Sequence, residues 1–197
     1  RSRLIRGSGV DINYFNPRID NAGRFKTTIQ VLFPSRLIRE KGVEELIEAC
    51  KELWADGVKL KLVVAGELDS GNRSSLSRQE ALALKGDDRI CFLGHVDDMI
   101  TLYEESDLVV LPSWREGLSR SLIEAAAMER PIITTDVPGC KDVVDHGRSG
   151  LLVPLKDSRS LRLALELLIN NPSLARKFGK AAREKIVTEF QVSLVNK

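Results

Sequence analysis

The 197-residue sequence has no run of about 18 consecutive apolar residues, so no segment is suited to span a bilayer as a helix. It has neither GxGxxG nor GxxxxGK[ST], which argues against a nicotinamide oxidoreductase and against a P-loop nucleotidase. There are three cysteines, Cys50, Cys91 and Cys140, with no CxxC and no Cys/His cluster, so a zinc site is not expected. An odd count in a chain of this length predicts free thiols in a reducing, cytoplasmic compartment. The two histidines, His95 and His146, stand alone in loops, and neither has a Ser or Cys partner at a recognisable spacing. No DxD cluster is present to hold a metal ion. The formal net charge is only +2, without the strongly basic face of a nucleic-acid binder.

What remains is the make-up of an ordinary globular domain, 43% hydrophobic and 29% charged. The length suits one domain of roughly 100–200 residues. Short apolar runs alternate with helical patterns. Strands are predicted at Ile29–Pro34, Lys59–Ala65, Arg89–Leu93, Asp107–Leu111, Pro131–Thr135 and Gly150–Val153. Between them, Val43, Leu46, Ile47, Cys50, Leu53 and Trp54 follow helical spacing up to Gly57, and a further helix ends near Lys85. Ser121–Met128 reads as a helix with Ser121 and Glu124 spaced as a capping box. Leu161, Ala164, Leu165 and Leu168 share a helical face. Asn171–Pro172 then opens a last helix reaching about Glu189. This rhythm predicts an α/β domain with a doubly wound parallel sheet, ligands binding outside the carboxyl ends of the strands.

Two post-strand segments carry candidate chemistry. In Ser35–Gly42, Arg36 and Lys41 are five positions apart and could meet one diphosphate, helped by the amides of the helix that follows. The plain alternative is a pair of solvated surface cations, the fate of most Arg and Lys. In Trp114–Glu124, Glu116 and Glu124 are eight apart, and Gly117 lets a ligand approach the backbone. Carboxylates beside an anion site suit sugar hydroxyls. Glu124 has the alternative role of completing the capping box, whereas Glu116 has no nearby partner except Arg115 and Arg120. His95, after a strand, is placed to line the crevice. Trp114 is expected at a cleft wall.

Taken together, GSGVDINYFNP, FPSRLIREKGVEELIEAC and the stretch from FLGHVDDMI through PSWREGLSRSLIEAAAMERPIITTDVPGC to SGLLVP resemble, in order and spacing, the C-terminal half of the retaining GT-B glycosyltransferases of group 1 (family 4). The resemblance covers almost the whole chain. It implies a Rossmann-like donor domain, residues 1–197, excised from an enzyme whose N-terminal acceptor domain is missing, and inactive alone. It implies that Arg36 and Lys41 bind the donor diphosphate and that Glu116 binds the transferred sugar, beside the backbone of Gly117, Leu118 and Ser119. Glu124 would hold the ribose, and Gly94, His95 and Val96 would border the base. It implies metal-independent transfer without a cofactor from a nucleotide-sugar, a UDP-sugar above all, to a glycan or polyprenyl-linked acceptor in bacterial surface polysaccharide synthesis. The full enzyme would then work at the inner face of the membrane. The family usually has Gly at position 35 and Gly-Phe-Gly-x-Pro at 117–121, so the departures here leave the donor sugar open. A GT-B epimerase and a non-catalytic nucleotide or sugar-phosphate module are the competing readings. Product analysis separates the first, and dispensability of Glu116 the second.

Overall fold

The computed structural model describes residues 9–18 and 27–192. The GSG that opens the first family-like segment lies partly outside them.

All six predicted strands are present: β1 (Ile29–Phe33), β2 (Leu60–Ala65), β3 (Ile90–Gly94), β4 (Leu108–Leu111), β5 (Ile132–Thr135) and β6 (Leu151–Val153). They form one sheet in the order β3-β2-β1-β4-β5-β6, and every neighbouring pair is parallel. The apolar runs explain this. β4 and β5 are buried at every position, as strands covered on both faces must be. Each fully buried Val, Leu or Ile stabilises the fold by about 1.5–3 kcal/mol.

The helices are α1 (Val43–Ala55), α2 (Arg78–Lys85), α3 (Met99–Glu105), α4 (Arg120–Ala127), α5 (Ser158–Asn170) and α6 (Pro172–Glu189). In a sheet whose order reverses, right-handed crossovers place helices on both faces. Here α1 packs against α5, and α4 against α6. Leu161, Ala164, Leu165 and Leu168 are the buried residues of α5, as their spacing predicts. Asn171 ends α5 and precedes Pro172, where a missing N–H costs α6 nothing.

Two local features differ from the sequence reading. α3 was not anticipated: it is only seven residues long, and Asp98 starts it by accepting from the Thr101 amide at 3.1 Å. The capping box also lies elsewhere. α4 begins at Arg120 with Ser119 as its N-cap, so Ser121 is already inside the first turn and cannot cap. The reciprocal box forms at α2, where Ser77 Oγ accepts from the Glu80 amide and Glu80 Oε2 accepts from the Ser77 amide.

Candidate functional site

The strand order reverses between β1 and β4, so the loops leaving their carboxyl ends lie side by side. They are fastened by backbone contacts. The Glu40 carbonyl accepts from the Trp114 amide at 2.7 Å and from Ser113 Oγ at 3.1 Å. Gly42 has φ 75°, and a Cβ there would sit 2.1 Å from the Pro112 carbonyl oxygen. Only glycine allows this approach.

Fastened in this way, Lys41 Nζ donates to Glu116 Oε1 at 2.7 Å, with side chains only 22% and 12% exposed. The expectation that Glu116 lacked a partner beyond Arg115 and Arg120 is therefore corrected. Its partner stands 75 residues away in sequence and arrives through the sheet topology. Arg36 points elsewhere: it is 59% exposed and paired with Asp69 in the loop after β2. That loop is pressed against Ser35, because a Cβ on Gly66 would lie 2.0 Å from the Ser35 carbonyl oxygen. Each of the two cations thus already faces a carboxylate.

The helix termini differ in charge. The first turn of α1 carries Glu44 and Glu45, which accept from the Arg39 guanidinium and the Trp114 indole respectively. The first turn of α4 carries no acidic residue, and the Ser119 side chain makes no capping bond. The first amides of α4 have no intrahelical acceptors and sit at the positive end of the helix.

Along α4, Glu124 is nearly buried. Its Oε1 accepts from Arg120 Nε at 2.9 Å and its Oε2 from Tyr103 Oη at 3.3 Å. Burial pushes the Glu124 carboxyl above its ordinary range, while Arg120 and Tyr103 pull it down. Burial also raises the Tyr103 phenol, so it remains a donor. Glu124 and Arg120 border a cavity of about 590 Å³, lined also by Val10, Tyr14, His95 and Val96. That volume accommodates a small organic ligand. Gly94 ends β3 at φ 70°, turning the chain so that His95 and Val96 reach this cavity. His95 Nε2 is 3.2 Å from Asp97 Oδ1.

The backbone of Gly117, Leu118 and Ser119 runs between the Lys41–Glu116 pair and Glu124. A Cβ on Gly117 would meet open space. From behind, Gly139 (φ 81°) supports this loop: its Cβ would lie 2.1 Å from the Gly117 carbonyl oxygen and 2.8 Å from that of Glu116. The Gly139 amide is tied to Asp142 Oδ2 at 3.1 Å. Sequence reasoning missed Tyr103, Asp69, Gly139 and Asp142, although the Pro-Gly of the post-β5 loop was a visible turn signal. Trp114 acts as a tie more than an open wall. Its indole donates to Glu45 Oε1 at 2.8 Å, and the Lys156 ammonium lies 3.7 Å from the ring centroid. His146 Nδ1 accepts from the Leu152 amide at 2.9 Å.

Among the described residues no group of three or more His, Cys, Asp or Glu is arranged to hold a metal ion, and no helix is long and apolar enough to cross a membrane. The capsular polysaccharide biosynthesis glycosyltransferase CapM of Staphylococcus aureus is 32% identical over 163 residues, 83% of this chain and 42% of that protein. A sucrose-phosphate synthase from Thermosynechococcus elongatus matches with TM-score 0.85 and 28% identity over 98% of this chain and 49% of its own. Anabaena HepE in complex with UDP and glucose matches with TM-score 0.83 and 23% identity over 95% of this chain and 53% of its own, a likeness of fold. The chain spans about half the length of the curated relatives it matches, 42% and 50% in two cases. The model of the family "Glycosyl transferases group 1" matches residues 16–185. With that match over most of its length, and with the doubly wound sheet the GT-B fold requires, the chain belongs to the group 1 glycosyl transferases.

Proposed function

We propose that this chain is the donor-binding half of a retaining, metal-independent glycosyltransferase that takes its sugar from a UDP-sugar. The carrying observation is the Lys41–Glu116 pair, held at the switch point of the sheet beside the open first turn of α4. Lys41, Arg36 and the α4 amides would stabilise the departing diphosphate, the main electrostatic demand of the reaction. Arg36 would exchange Asp69 for a phosphate oxygen. Glu116 would accept from hydroxyls of the transferred sugar, next to the open face of Gly117. The ribose would rest on Glu124 and the base against Gly94–Val96. HepE, solved with UDP and glucose, supports uracil as the base, and the name of CapM supports a glycan acceptor in polysaccharide synthesis. The acceptor site would belong to a second domain, so the 197-residue chain alone would not turn over.

Calorimetric titration with UDP, GDP, UDP-glucose and UDP-N-acetylglucosamine tests this reading. UDP and one UDP-sugar are expected to bind, and both Glu124→Ala and Arg36→Ala/Lys41→Ala to lose them. Binding that survives both variants, or no nucleotide binding at millimolar ligand, overturns it. Sugar transfer by the isolated chain overturns the half-enzyme part.

A further inference from the structure

We infer that Arg120 is a positioning residue that keeps Glu124 ionised, so that the carboxylate can accept both vicinal hydroxyls of a nucleoside's ribose. The inference rests on the donor reading only for the identity of the ligand. Its basis is a hydrogen-bond chain with two proton arrangements. Tyr103 Oη lies 3.1 Å from the Ser121 carbonyl oxygen and 3.3 Å from Glu124 Oε2. A phenol has one hydrogen for these two acceptors. If Glu124 takes a proton on Oε2, its carboxyl donates to Tyr103 Oη, and the phenol hydrogen goes wholly to Ser121. Every group in that neutral chain is satisfied, and burial favours it. The neutral form would be poor for binding, because protonation turns one carboxyl oxygen into a donor and charge-assisted bonds to hydroxyls are about twice as strong as neutral ones.

Arg120 opposes that outcome. Its Nε donates to Glu124 Oε1 at 2.9 Å, one turn apart on α4. The other titratable groups around the cavity are Asp11 and Tyr14 from the amino-terminal segment, His95 and Asp97 after β3, and Tyr103 from α3. Asp11 accepts from the Asn13 and Tyr14 amides, and His95 faces Asp97. Arg120 is therefore the cation acting on Glu124 among the described residues. Its side chain is 79% exposed, so its place is set by charge and not by packing.

The test combines ¹³C NMR of the Glu124 carboxyl with affinity for UDP-glucose, whose diphosphate does not titrate near neutrality, between pH 5.5 and 8.5. Wild type, Arg120→Gln, Arg120→Lys and Glu124→Gln are compared, and melting temperatures check the fold. In Arg120→Gln the carboxyl is expected to titrate about one pH unit higher than in wild type. UDP-glucose affinity of that variant should fall by up to about tenfold for each pH unit below its own Glu124 titration point and recover above it. Arg120→Lys should behave like wild type. Glu124→Gln should bind weakly at every pH. An unchanged Glu124 titration in Arg120→Gln, or a loss of affinity that does not vary with pH, overturns the inference. If the titration moves but wild type binds none of UDP, GDP, UDP-glucose and UDP-N-acetylglucosamine, the control of Glu124 by Arg120 stands and the donor reading falls.

Discussion

Gly139→Ala tests how the sugar-facing backbone is held. Gly139 and Gly57 both have φ 81°, but their surroundings are opposite. A Cβ on Gly57 meets nothing within 4 Å, whereas a Cβ on Gly139 meets the Gly117 carbonyl oxygen at 2.1 Å and carbonyl carbon at 2.8 Å. Both substitutions force an L-residue into the left-handed region, at about 1–2 kcal/mol. Both equally reduce the freedom of the unfolded chain, so that effect cancels between them. Gly57→Ala therefore serves as the reference that carries these two effects without a steric one. Gly139→Ala adds a steric term, because backbone atoms must move; overpacking of this kind costs about 1–3 kcal/mol. The expected losses are about 1–2 kcal/mol for Gly57→Ala and about 2–5 kcal/mol for Gly139→Ala. In a domain of this size each ~1 kcal/mol lowers the melting temperature by about 2–4 °C. Scanning calorimetry reads the difference, and titration with UDP and UDP-glucose reads its consequence. Since Gly139 leans on Glu116 and Gly117 and not on Glu124, the variant should lose more of its affinity for UDP-glucose than for UDP. Equal melting temperatures for the two variants would refute the claim that Gly139 buttresses this loop. Equal loss of UDP and UDP-glucose would refute its link to the sugar.

Asp69→Asn removes the carboxylate that faces Arg36 while leaving the loop fastened at Gly66. An exposed pair of this kind is worth about 0.2–1 kcal/mol, so UDP affinity should rise by about 1.5- to 5-fold, most at low salt; a fall would mean that Asp69 itself aids binding. The cysteines should react in two classes with a thiol reagent at neutral pH. Cys91 on the edge strand β3 is half-buried, whereas Cys50 and Cys140 are buried, and burial pushes the Cys50 thiol up to about 12. Cys91 should be labelled in the native protein and the other two only in denaturant; native labelling of Cys50 would contradict the packing of α1 on the sheet.

The sequence by itself determined the elements and their order. Val, Ile and Leu runs such as Leu60–Ala65 and Leu108–Leu111 are strands because a doubly covered parallel sheet needs continuous apolar side chains, and that pattern is local. The α5 face and the Asn171–Pro172 break were equally legible, since helical period and the missing proline N–H act within a few residues. The sequence also marked Arg36, Lys41, Glu116 and Glu124 as residues of post-strand segments. It did not determine their partners. The N-cap of α4 lies two residues earlier than expected, at Ser119 instead of Ser121, and Glu124 is a partner of Arg120 and Tyr103 in place of a capping residue. Lys41 meets Glu116, Asp69 holds Arg36, and Gly139 backs Gly117 only because the strand order sets particular loops side by side at the carboxyl edge. Periodicity reports which face an element buries. Which two loops touch depends on sheet order, parallel register and close backbone approach, and those exist only in the folded chain.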